Sequence, residues 1–245
     1  MTDTQGPGTY REAVAQLRSA QKSAKGAPLY SLFINRPLGR LLAAGAYRLN
    51  MTPNQVTGVS AVFTYSGIVV VALAPIAVWT GILVAALLVL GYALDSADGQ
   101  LARLRGGGSL AGEWLDHVID SGKIATLHVA VLVAFYRAGV EPIWLAVPLV
   151  FMVFYVIHFF GMLLTELLTR VHIARQGLPA TPGSASQLMS ILKLPTDYGL
   201  LCLVFVFWGI DPVFRWIYLL LALAMAGYTL LVLVKWYRQV ARLQG

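Results

Sequence analysis

Four aspartates, Asp95, Asp98, Asp116 and Asp120, stand in the stretch Leu94–Lys123, inside one of the most apolar parts of the chain. A carboxylate at membrane depth costs about 2.5–3.5 kcal/mol on insertion scales, so four of them require compensating charge. A carboxylate set suits hard cations such as Mg²⁺, Mn²⁺ or Ca²⁺. Two divalent ions would neutralise the four charges. Paired ions suit displacement at phosphorus, clamping phosphate oxygens while one carboxylate takes the proton of an attacking hydroxyl. The stretch holds no cysteine, and His117 follows Asp116 by about 100° of helix, so zinc is not expected.

These residues must be positioned by two helices. Residues three or four apart share a helical face, so Asp95, Asp98, Gly99 and Ala102 form one stripe, and Gly112, Asp116 and Asp120 another. The link Leu104–Ala111 is short, which makes the helices antiparallel neighbours and lets the stripes meet. Gly99 and Ala102 leave room for a ligand near the backbone. Arg103 offers a fork suited to phosphate, and the Gly106-Gly107-Gly108-Ser109 link carries N–H groups that could cradle one. Two other readings stand beside this. The carboxylates could be ion pairs with Arg103, Arg105 and Lys123, or they could mark a cation pathway. The second is weakened by their clustering at one end, with no acidic relay through the bilayer.

The surrounding chain is that of an integral membrane protein. Of 245 residues, 58% are hydrophobic and 12% charged, against about 25% charged in soluble domains. The length fits one all-α bundle. Cys202 is alone, which excludes an intrachain disulfide. No short apolar core with a cleavage site precedes residue 50, so no signal peptide is expected. Residues 1–29 are a basic segment, expected on the cytoplasmic side, either as an amphipathic helix over Tyr10–Lys25 on an anionic leaflet or as a disordered tail. Residues 30–245 form the membrane domain. Arg36, Arg40 and Arg48 interrupt residues 30–50, which predicts a juxtamembrane helix lying in the interface. Asn54 is the expected N-cap of the next helix. Six spans are predicted, at about 55–76, 80–104, 110–137, 141–170, 194–210 and 212–236.

The net charge of +7 reports orientation rather than a nucleic-acid partner. Seven Lys and Arg residues lie at or before Arg48; Arg103 and Arg105 follow in one link, Arg170, Arg175 and Lys193 in another, and Lys235, Arg238 and Arg242 at the end. Those fifteen fall on one side; Arg137 and Arg215 fall on the other, and Lys123 lies within a helix. Both termini and the aspartates are therefore expected to be cytoplasmic, most simply at a plasma membrane.

The pattern Asp95-x2-Asp98-Gly99-x2-Ala102-Arg103-x8-Gly112-x3-Asp116-x3-Asp120 resembles, without departure, the signature of the CDP-alcohol phosphotransferase family. The likeness extends to Thr52-Pro53-Asn54-x2-Thr57, the preceding helix and the six-span count. It implies a membrane enzyme of phospholipid biosynthesis that cleaves a CDP-alcohol, releases CMP and joins the phosphoryl-alcohol to a hydroxyl. On that resemblance Asp95, Asp98, Asp116 and Asp120 ligate two divalent cations, Mg²⁺ foremost with Mn²⁺ as the alternative, and Asp120 is also the general base. Gly99, Ala102, Arg103, Ser109, Gly112, Asn54 and Thr57 hold the nucleotide. The family resemblance further implies a homodimer with a cytoplasm-facing cavity.

The expected donor is CDP-diacylglycerol and the acceptor a small polar alcohol. The reverse assignment, a CDP-linked head group moved to a lipid hydroxyl, is the alternative. The Arg-Gly-Gly-Gly-Ser link resembles the branch that makes phosphatidylinositol phosphate, whose later helices carry an arginine cluster. That cluster is missing here, which argues against a phosphorylated inositol. Lys123, Tyr155, His158, Arg170, Arg175 and Lys193 are the candidate acceptor residues. Each has a plainer reading as charge balance, interhelical hydrogen bonding or a basic cytoplasmic helix end. A cation transporter and a silent scaffold are the rivals from other classes. The first leaves Gly99, Ala102, Arg103 and Gly112 unexplained, and the second leaves the intact aspartate set unexplained.

Overall fold

A computed structural model describes residues 7–19, 27–177 and 194–243. The described residues are helical, with short turns between. Helix α1 spans Tyr10–Ser19, and a π-helical turn, Ser31–Asn35, leads into α2, Arg36–Arg48. Helices α3 (Pro53–Leu73), α4 (Val78–Leu104), α5 (Leu110–Arg137) and α6 (Pro142–Gln176) follow. After a 3-10 turn come α7, Tyr198–Val204, and α8, Val213–Ala241.

Five helices, α3, α4, α5, α6 and α8, are long and apolar enough to cross a bilayer. Together they make the protein a multi-pass integral membrane protein. The sixth predicted span, 194–210, is only a short apolar helix, Tyr198–Phe207. That length gives about 15 Å, half a hydrocarbon core. The reason is local. Pro195 sits in the 3-10 turn Leu194–Thr196, and Asp197 opens the helix by accepting from the Gly199 N–H at 3.1 Å. The segment runs along the first half of α4, from the level of Tyr92, which meets Tyr198, to the level of Gly81. Asp197 accepts from the Tyr30 N–H beside α2, whereas Trp208 lies against Gly81 at the start of α4 and stacks on Phe135 near the end of α5.

The N-terminal segment is helical over Tyr10–Ser19, as the first expectation for it has it, but its apolar face meets protein. Ala13 and Leu17 are buried, packed with Ala43 and Ala44 of α2 and Ala97 and Leu101 of α4. Tyr10 Oη donates to Leu41 O at 3.1 Å and Arg48 Nη1 to Gly8 O at 2.5 Å. The apolar face of α1 is thus covered by protein rather than lipid. Lys22 and Lys25, part of the same expectation, lie outside the described residues.

Small residues bring α3 and α4 together, as membrane helices commonly do. Thr57, Ser60, Thr64 and Gly67 form one stripe of α3, all buried. Ser60 Oγ donates to Gly91 O at 2.8 Å. A Cβ at Gly91 would lie 2.2 Å from Thr64 Oγ1 and 3.1 Å from Thr64 N. This seam runs toward Asp98 on α4 and sets its distance from α3. We therefore expect Gly91→Ala to destabilise the protein by about 1–3 kcal/mol through overpacking and to reduce activity. Adding Thr64→Ala should recover part of the loss. Thermal unfolding of both variants in detergent checks this, and an unrescued double variant would count against the seam.

Candidate active site

The link between α4 and α5 sets the two aspartate stripes face to face. Gly106 and Gly107 turn it with φ of +94° and +137°, values that only glycine adopts readily. Their N–H groups donate to Arg103 O and Ala102 O, at 3.2 and 2.9 Å. They close the end of α4, so the expected phosphate cradle is not offered by these two residues. Ser109 caps α5, its Oγ accepting from the Gly112 N–H at 3.0 Å.

The four carboxylates converge. Asp95 lies within electrostatic reach of Asp98, Asp116 and Asp120. Asp98 is buried and its Oδ2 accepts from Thr57 Oγ1 at 2.5 Å, which ties α4 to α3 and fixes that carboxylate. Asp95 Oδ1 and Asp120 Oδ1 both meet Lys123 Nζ, at 3.2 and 2.5 Å. Ligating atoms of Asp116, His117 and Asp120 lie within 4.8 Å of one another, a spacing at which one cation can touch all three. The hard-oxygen donors and their shared negative charge fit divalent ions.

His117 is the residue that helical angle alone misplaces. Its imidazole reaches back beside Asp116 and Asp120, edge-on to Phe159. Among the described residues both ring nitrogens are shielded from solvent without a hydrogen bond, and a Glu113 carboxylate oxygen is 3.9 Å from Nε2. A neighbour one residue along a helix can share a site when its side chain is long and lies near the helix end; the sequence carries no stronger signal for it.

The nucleotide candidates fall into two groups. Thr52, not Asn54, caps α3: its Oγ1 accepts from the Gln55 N–H at 3.2 Å and Gln55 Oε1 accepts from the Thr52 N–H at 2.8 Å. The capping box with Pro53 at the first turn explains the shift. Asn54 is thereby free to face α5, its Oδ1 only 2.9 Å from where a Gly112 Cβ would stand, with Ser109 Oγ 3.2 Å from the same point. The second group is Gly99 with Arg103, whose Nη1 lies 3.6 Å from the position of a Gly99 Cβ. Arg103 Nε is buried without a hydrogen bond, and among the described residues no carboxylate forms a salt bridge with Arg103. Ala102 is buried under the glycine link.

Of the acceptor candidates among the described residues, Tyr155 and Lys123 come within electrostatic reach of one another, and the others lie apart. Tyr155 is buried, stacked on Phe151 and beside His128. His158 packs against Tyr228 and Trp236 of α8, with Thr229 Oγ1 3.5 Å from its Nδ1. Arg170 is paired with Glu113 at 2.7 Å and Glu166 at 2.8 Å, which joins α6 to the first turn of α5 and neutralises the guanidinium. Arg175 is exposed near the end of α6. Lys193 lies outside the described residues. Lys123 faces the aspartates.

Residues 50–231 match the CDP-alcohol phosphatidyltransferase family. The chain belongs to that family. It is a phosphotransferase of phospholipid synthesis, and the stretch matched contains all four aspartates. The CDP-alcohol phosphatidyltransferase fold is also seen in two solved structures of Mycobacterium tuberculosis phosphatidylinositol phosphate synthase. One, with CDP-DAG bound, is 23% identical with TM-score 0.53, covering 84% of this chain and 93% of that one. The other, with manganese and citrate, is 22% identical with TM-score 0.51, covering 81% and 87%. At that identity the likeness is one of fold. Among curated proteins none matches the chain significantly.

Proposed function

We propose that this family member transfers the phosphatidyl group of CDP-diacylglycerol to a small polar alcohol and releases CMP. The observation that carries the reading is the meeting of Asp95, Asp98, Asp116 and Asp120 at one end of α4 and α5, beside a partly buried Arg103 that has no salt bridge among the described residues. The acceptor hydroxyl attacks the phosphorus that bears the diacylglycerol. Its proton passes to Asp120, the new O–P bond forms, and the P–O bond to CMP breaks. Asp95, Asp98, Asp116 and Asp120 would hold two divalent ions, Mg²⁺ foremost and Mn²⁺ as a substitute. Bound there, the ions supply the charge that clamps the diphosphate and stabilises the leaving CMP. Thr57 holds Asp98 in its ligating orientation, and Asn54, Ser109 and Gly112 border the nucleotide. The solved relatives that contain CDP-DAG and manganese support the choice of donor and ion class.

Arg103→Lys is expected to weaken donor affinity about tenfold, because an ammonium lacks the bidentate fork. Equilibrium binding of CDP-diacylglycerol reads this, and unchanged affinity would remove Arg103 from the nucleotide site.

The pairing of Arg170 with Glu113 and Glu166 supports an uncharged acceptor over a phosphorylated one. The excess of Lys and Arg at the aspartate end supports a cytoplasmic site, with 194–207 making the sixth crossing. Exposed Phe33, Ile34, Leu38 and Leu41 suit an interfacial seat for residues 31–48. The deciding assay is CMP release by purified protein with CDP-diacylglycerol and Mg²⁺, against inositol, inositol phosphate, glycerol phosphate, serine and no acceptor. Release with one acceptor establishes the reaction. A phosphatidyl product formed without CDP-diacylglycerol would shift the reading to head-group transfer, and ion flux in vesicles without CMP release would replace it with transport.

A further inference from the structure

Lys123 lies one turn beyond Asp120 on α5, and its side chain is 6% exposed. Its Nζ bridges Asp120 Oδ1 at 2.5 Å on its own helix and Asp95 Oδ1 at 3.2 Å on α4. The ring of Tyr92, from α4, stands 5.8 Å from Nζ, and that of Tyr198, from α7, 5.1 Å. Tyr92 and Tyr198 are themselves in edge contact, 5.3 Å between centroids. Aromatic faces at this range attract an ammonium. The lysine is therefore caged from three helices and aimed at the carboxylates.

A caged cation inside a metal centre changes how that centre fills. Four carboxylates with one ammonium carry a net charge near −3. One divalent ion brings the group near −1. A second would leave a positive charge in a partly buried site, which is unfavourable without an anion beside it. The diphosphate of the donor supplies that anion. Without the lysine, the four carboxylates would match the charge of two divalent ions, with only Arg103, beside Asp98, left as a cation at the edge of the group.

Resting on the reading of these aspartates as a metal centre, we propose that Lys123 is a built-in counter-cation. It holds Asp95 and Asp120 together and makes loading of the second divalent ion depend on the nucleotide diphosphate. Lys123 is a positioning residue in this scheme: it touches the ligands and not the reacting atoms. Its effect is order. The site is half-filled before the donor arrives and becomes competent only around it.

The test is Mn²⁺ titration of the detergent-purified protein, reading free Mn²⁺ by its electron paramagnetic resonance signal, with and without CDP-diacylglycerol and with no acceptor present. Wild type should take up about one equivalent tightly without the nucleotide and about two with it. Lys123→Met should take up about two in both conditions, the second with affinity raised about tenfold or more without the nucleotide. Lys123→Arg, which keeps the charge, should behave as wild type. A wild type that binds two equivalents without the nucleotide overturns the proposal with no variant needed, as does a folded Lys123→Met protein that still binds one. A purely structural lysine would lower thermal stability in both variants and leave the stoichiometry unmoved, which also overturns it. Absence of Mn²⁺ binding in every condition would instead remove the metal-centre reading, and the proposal with it; nucleotide-independent loading of two ions leaves that reading standing.

Discussion

Asp120→Asn is expected to slow CMP release by about a thousandfold or more while CDP-diacylglycerol binding stays within about threefold of wild type. The amide keeps an oxygen that can meet Lys123 Nζ, and Lys123 keeps Asp95 as its second partner. What the amide loses is the ability to take a proton from the attacking hydroxyl. The residues assigned to the nucleotide, Asn54, Gly99, Arg103 and Gly112, are untouched by the change. Single-turnover release of CMP and equilibrium donor binding, measured on the same preparation, separate the two effects. A variant that turns over at the wild-type rate would take the base role from Asp120. A parallel collapse of donor binding would show that Asp120 is chiefly a ligand.

Asp95→Asn should act differently. Asp95 is the α4 carboxylate that faces the other three and shares the lysine with Asp120. Its replacement removes one anionic ligand and leaves Lys123 with Asp120 alone, so the site becomes less negative where divalent ions must enter. Affinity for Mn²⁺ is expected to fall about a hundredfold or more, and donor binding should fall with it, since in the proposed reaction the same ions would hold the diphosphate. The two losses should move together across a metal titration. Metal dependence identical to wild type would exclude Asp95 as a ligand.

Much of the site was legible because it lies on two regular helices. Spacing of three and four residues places Asp95 with Asp98 and Asp116 with Asp120, and the short glycine link fixes which ends meet. Asn54 and Thr57 came into view through the resemblance, and the structure gives their reason: Thr52 takes the cap, leaving Asn54 to Gly112 and Thr57 to Asp98. Lys123 was visible as a nearby cation, but its direction was not, since four methylenes allow the ammonium to travel either way along the helix. His117 failed for the same reason, a long side chain overriding a nominal angle. Five of the six predicted spans are long enough to cross, and the sixth is shorter than its hydropathy predicts, because hydropathy reports how apolar a segment is and not where its helix begins; Pro195 and Asp197 decide that. The N-terminal helix was undecidable from pattern alone. An apolar stripe such as Ala13 and Leu17 looks the same whether lipid or α2 and α4 will cover it.

Beneath the aspartates the described residues form one packed core. His128, Phe151, Tyr155 and Tyr218 fill the middle, and Phe135, Trp208 and Phe214 close the far end. Among the described residues, the way to the aspartates is from their own end of the bundle. A lipid finished there is returned to the leaflet that supplied its diacylglycerol chains. Membrane growth fed by this enzyme would be one-sided, and the opposite leaflet would have to be stocked by a separate lipid-translocating step.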